Sequence, residues 1–61
     1  MNFNQAEHKL KAFMRDAGFV GELPQPNEEQ SEKNSNGFWL LKTIEGRNVG
    51  LISEDGHVEL V

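Results

Sequence analysis

The apolar weight of this chain is concentrated in one run, Gly-Phe-Trp-Leu-Leu-Lys-Thr-Ile-Glu-Gly-Arg-Asn-Val-Gly-Leu-Ile-Ser-Glu-Asp-Gly-His-Val-Glu-Leu-Val, from Gly37 to Val61. Two turn signals divide it into three short segments, which predicts a three-stranded antiparallel meander. Asp55-Gly56 suits a two-residue type I′ turn, because both central residues need positive φ and these two types tolerate it best. That turn sets Ser53 opposite Val58, Ile52 opposite Glu59 and Leu51 opposite Leu60. Val49, Leu51, Val58 and Leu60 then share one face, since cross-strand partners point the same way and strands alternate with period two.

The turn at Glu45-Gly46-Arg47-Asn48 leaves the register of the first hairpin open. A two- or four-residue loop puts Phe38, Leu40, Lys42 and Ile44 on the face of Leu51. A three-residue loop with Asn48 left-handed puts Trp39, Leu41 and Thr43 there instead. A slip of one residue inverts the whole strand. In either register Phe38-Trp39-Leu40-Leu41 is apolar on both faces, and Ile52 and Val61 point away from Leu51 and Leu60. A strand that is hydrophobic on both sides expects cover on both.

The residues before the meander supply one cover. Asn4 and Glu7 have the spacing of a capping box, with Asn2 and Gln5 as a rival start. Ala6, Leu10, Phe13 and Ala17 recur at helical steps, flanked by Phe3 and Met14, which predicts one amphipathic helix over 4–17. Gly18 suits the left-handed position beyond it, with Phe19 folding back on Met14. So short a helix is marginal alone in water and must lie on the meander. Phe19, Val20 and Leu23 form a short apolar coda at the core edge. Residues 24–36 hold no apolar side chain except two prolines, and are expected to form a long mobile acidic loop. A helical turn capped by Asn27 fits inside it but has no face to dock. The expected fold is therefore α+β: one N-terminal amphipathic helix on a three-stranded antiparallel meander, with the polar loop between them.

A chain of 61 residues makes one small domain. Such domains are marginal and often lean on a disulfide, a metal or a partner. With no cysteine, disulfides and thiolate metal sites are excluded. No run reaches the roughly 18 apolar residues of a membrane span, and the N-terminus lacks the basic-then-apolar order of a signal peptide. A cytoplasmic protein with no membrane partner is the expectation. The net charge of −4 opposes general phosphate binding, which draws its affinity from Lys and Arg.

Little chemistry is written in the side chains. No nucleophile–base motif, glycine-rich phosphate loop or zinc spacing is present, so no catalytic residue, cofactor, metal or small-molecule ligand is assigned and no enzyme is expected. His57 stands beside Glu54, Asp55 and Glu59, which reads as a solvated cross-strand charge pair worth at most about 1 kcal/mol. Phe38 and Trp39 on a small sheet have the character of stacking platforms for single-stranded bases. The meander around them, however, sets Lys42 and Arg47 against Glu45, Glu54, Asp55 and Glu59, where a basic groove is needed. An acidic inhibitor that imitates nucleic acid needs carboxylates in ordered rows, whereas many here fall in the polar loop.

The stretch Arg15-Asp16-Ala17-Gly18-Phe19, followed by Gly37-Phe38-Trp39-Leu40-Leu41 and Gly46-Arg47-Asn48-Val49-Gly50, is similar to the start of some plasmid and phage primase proteins. These follow a helix ending in Ala-Gly with a Gly-aromatic-aromatic strand and a Gly-x-x-x-Gly turn. The meander also resembles a single unit of the tryptophan-glycine β-repeats, which occur in tandem copies with another glycine spacing. Neither pattern includes a catalytic residue here, and no role is carried over. The residues themselves point to a small non-enzymatic binding module. Its partner would be a protein, or a second copy in a homodimer, held through Phe38, Trp39, Leu41, Ile52 and Val61 on the uncovered face. Contact with a single strand through Phe38 and Trp39, or acidic inhibition of a nucleic-acid enzyme, is the alternative.

Overall fold

The computed structural model describes residues 1–61. One helix, α1 (Phe3–Asp16), packs on one face of an antiparallel sheet, so the α+β architecture holds. The sheet has four strands, β1 (Glu32–Lys33), β2 (Trp39–Lys42), β3 (Asn48–Ile52) and β4 (Val58–Leu60), in the order β1-β2-β3-β4. No helix is long and apolar enough to cross a membrane.

α1 starts at the earlier of the two candidate caps. Asn2 Oδ1 accepts the Gln5 amide at 2.9 Å, and Gln5 Oε1 accepts the Asn2 amide at 2.8 Å, a reciprocal box that satisfies two otherwise unpaired donors. Starting there brings Phe3 into the first turn. The buried stripe is Phe3, Ala6, Leu10 and Met14, rotated from the one expected, while Phe13 and Ala17 stay outside. The helix closes in a Schellman motif: Phe19 N–H donates to Met14 O at 3.0 Å and Gly18 N–H to Arg15 O at 3.1 Å, with Gly18 at φ +90°.

All three hairpins turn by the same five-residue device, at Asn34–Phe38, Thr43–Arg47 and Ser53–His57. In each, the first residue's amide donates to the last residue's carbonyl, at 2.9, 2.9 and 2.8 Å. The fourth residue is a glycine (Gly37, Gly46, Gly56) at φ +86°, +86° and +94° that donates back to the first carbonyl. A side-chain oxygen of Asn34, Thr43 or Ser53 accepts the last amide, at 3.0, 3.3 and 3.0 Å. This is a three-residue loop with a glycine bulge, in which only glycine takes the left-handed conformation. The two-residue turn expected at Asp55-Gly56 is thereby replaced. Asp55 accepts the His57 amide at 3.2 Å instead of adopting positive φ itself. In the first hairpin the left-handed residue is Gly46, not Asn48.

The longer loop moves the β3–β4 register by one. Ile52 faces Val58, Leu51 faces Glu59 and Gly50 faces Leu60. Across β2–β3, Trp39 faces Ile52 and Leu40 faces Leu51. Trp39, Leu41, Ile52 and Val58 therefore lie under the helix, and Leu51 shares the opposite face with Leu40. An irregularity beside Leu41 and Lys42 leaves Val49 as the extra residue, turned back toward the helix. The core comprises Phe3, Ala6, Leu10, Met14, Leu41, Val49, Ile52 and Val58. Gly50 makes it possible: a Cβ there would stand 2.8 Å from Leu10 Cδ1.

Residues 24–36 are built into the sheet rather than left as a free loop. Asn27 N–H donates to Lys42 O at 2.7 Å, and Lys42 N–H donates to Ser31 Oγ at 3.0 Å. Asn27 Oδ1 caps the intervening turn by accepting the Gln30 amide at 3.1 Å, and Pro26 is buried. Glu32 and Lys33 then pair with Leu40 and Trp39 as β1. A segment without apolar side chains still offers main-chain donors and acceptors to the open edge of β2.

Leu10→Ala and Ile52→Ala should each cost about 2–5 kcal/mol in urea denaturation, and Leu51→Ala clearly less, since Leu10 and Ile52 are fully enclosed and Leu51 is not. Gly46→Ala meets no atom within 4 Å, so its expected cost is the conformational one alone, about 1–2 kcal/mol. Gly50→Ala, at ordinary φ, should destabilise through the clash with Leu10 and be partly rescued by Leu10→Val.

Candidate functional site

The five residues expected to bind a partner do not lie on one surface. Leu41 and Ile52 are fully buried inside the monomer core. Trp39 is half-buried beneath the helix: its Nε1–H donates to Met1 O at 3.0 Å, and the Phe3 ring meets it edge-on at 5.8 Å. The Lys33 ammonium lies 5.9 Å from the Trp39 ring centroid on the same side of the sheet. Of the five, Phe38, just before β2, faces away from α1 beside Leu40 and Leu51, and Val61 lies exposed after β4. The three-residue loop and the extra residue Val49 together decide this, because they set Trp39 opposite Ile52, toward the helix, and Leu40 opposite Leu51, away from it.

The uncovered face belongs to Phe38, Leu40 and Leu51. Leu40 and Leu51 are direct cross-strand partners, and Phe38 is two residues along the same face of the strand. With Glu32, Lys33 and Asn34 they line a shallow groove of about 310 Å³. The rim is charged: Lys42 Nζ stands 2.9 Å from Glu32 Oε2. Across the sheet His57 Nε2 lies 3.6 Å from Glu59 Oε1, both well exposed. Leu40 and Leu51 were missed as site residues because that assignment needs the register, and the register needs both the identity of the left-handed turn residue and the extra residue at Val49.

A second apolar surface gathers where α1 ends. Phe19, Pro24, Leu60 and Val61 border a groove of about 390 Å³ above Met14 and Val49, with Arg47 and Asn48 at its mouth. Phe19 is 47 % exposed, Leu60 40 % and Val61 69 %, so this end of the molecule keeps apolar area in water.

The electrostatics are those of solvated turns. The hydrogen bond and charge of Lys42 hold the Glu32 carboxyl below its ordinary range. Ser53 Oγ, then the His57 amide, do the same for Asp55. No three His, Asp or Glu side chains converge on a point, and every buried side-chain polar atom has a partner. A carboxyl depressed in the folded state stabilises fully above its unfolded pKa and loses that contribution as pH falls through the folded value. Stability should therefore decline on the acid side of the ordinary carboxylate range. Asp55→Asn should flatten that decline in thermal melts taken between neutral and acid pH.

No protein-family model matches the chain, and no curated protein or solved structure matches it either.

Proposed function

We propose that this protein is a small non-enzymatic binding module of the cytoplasm. It presents the outer face of its sheet to a protein, either another chain or a second copy of itself. The observation that carries this reading is the direct pairing of Leu40 with Leu51, next to Phe38, on a face with no element over it. Contiguous apolar area rimmed by charge is characteristic of interaction surfaces. The rim carries both signs, through Lys42, Glu32 and Glu59. Two-fold pairing is the commonest way for such a face to cover itself.

The nucleic-acid reading has less support. Base stacking needs free aromatic faces beside a cationic groove. Trp39 is engaged by Phe3 and by Lys33, and the nearest cation on the outer face, Lys42, is tied to Glu32.

Leu51→Lys and Leu40→Lys should leave the melting temperature within a few degrees of wild type, because both side chains are only partly buried and lie outside the core. Either substitution should abolish self-association in sedimentation equilibrium, or binding to a captured protein. If the wild type stays monomeric at every concentration and Leu51→Lys retains all its partners, this function is ruled out for the outer face.

A further inference from the structure

We propose that the free edge of β4 is a docking site for an extended segment of another protein, one whose side chains alternate apolar and basic. The segment would add as a fifth strand. This deepens the binding-module reading and names a second surface, distinct from the outer face of the sheet.

The edge is open in its main chain. Ser53 N–H donates to His57 O and Val61 N–H to Val49 O, so alternate residues of the last strand face β3. By the alternation of an antiparallel ladder, the N–H and C=O of Val58 and Leu60 point out of the sheet. The opposite edge is closed to such pairing. β1 is only Glu32–Lys33, both charged, and the chain before it is already bonded to Lys42. Short, charged edges are the usual protection against added strands. β4 has one such residue, Glu59, between two apolar ones.

The helix-side flank of this edge is apolar. Lys9 lies against Gly56 at the start of β4, since a Cβ on Gly56 would stand 3.3 Å from its Nζ. Phe13 follows Lys9 by one helical turn on that flank and is 39 % exposed. Leu60 comes next, and beyond it the groove bordered by Phe19 and Val61. A strand laid along β4 turns alternate side chains toward this flank, where apolar ones cover Phe13 and Leu60. The residue opposite Glu59 points to the other face, where a Lys or Arg meets the carboxylate. His57 Nε2 lies beside Glu59 there, at 3.6 Å. A cation on the helix side would instead meet Lys9, so the basic residues belong on the outer side.

The same charge pattern disfavours a second copy on this edge. The two-fold register that uses all the outward groups pairs Val58 with Leu60 across the axis. It sets the two Glu59 carboxylates directly opposite each other, an arrangement that destabilises a sheet.

The probe is a six-residue peptide alternating Val and Lys, titrated into the whole protein and followed by amide resonances. Binding should shift Val58 and Leu60 and slow their hydrogen exchange. A Val–Glu peptide should bind at least about threefold more weakly, and Glu59→Lys should reverse that preference. Methylating alternate backbone nitrogens of the Val–Lys peptide, on the side that meets β4, should abolish binding. Glu59 is exposed, so its substitution leaves the fold intact. Equal affinity for the two peptides, binding that survives methylation, or self-association through Val58 and Leu60 without peptide would each overturn the proposal. Leu40→Lys separates the two surfaces: it leaves peptide binding at β4 unchanged, so loss of either site is read independently of the other.

Discussion

Leu10 rests on the bare backbone of Gly50, and the rest of the molecule follows from that contact. A single helix of this length is stable only when its apolar stripe is buried. Without a side chain at Gly50, Leu10 can approach the sheet closely enough for Ala6 and Met14 to follow it down on either side. Leu41, Ile52 and Val58 close around the same point. One rod over one face is all the cover that so short a chain can provide. Its opposite face and one of its edges are therefore left to solvent or to a partner.

The sheet beneath is specified by repetition. Three loops use one arrangement: an Asn, Thr or Ser whose side chain accepts an amide four residues on, and a glycine three residues on that takes positive φ. Each loop has the same length and sets the start of its hairpin, and in β3 the extra residue Val49 then shifts the pairing by one. Charge and shortness then finish one border at β1, where Glu32 and Lys33 lie over Leu40 and Trp39. At β4, three residues long, the charge is less: Glu59 stands alone between apolar neighbours.

These features place the apolar area that still meets water away from the strongest hydrophobic signal in the chain. Trp39, Leu41 and Ile52 carry the most apolar weight in the meander, and they are used internally. What remains outside is a smaller, charge-rimmed set: Phe38, Leu40 and Leu51 on the outer face, with Phe13, Leu60 and Val61 along the free edge. A surface of this kind suits association that is specific in charge and modest in area.

Much of this was legible in the residues themselves. The helix, its closure at Gly18 onto Met14, and the two C-terminal hairpins follow from periodicity and from where glycine sits, because those signals act between near neighbours. The start at Asn2 was the rival of the expected one at Asn4, and it is the start that brings Phe3 into the helix, against Trp39. β1 had no apolar signature to read, since its pairing rests on main-chain groups that every sequence carries. The faces of the strands were beyond local reading too. Asp55 and Gly56 are both tolerant of positive φ, and whether both adopt it or Gly56 alone shifts the ladder by one residue and exchanges inside for outside. The sequence alone thus determined the helix and the three C-terminal strands, but not β1. Tertiary packing, through the fit of Leu10 on Gly50 and of Phe3 on Trp39, decided which side of them meets water.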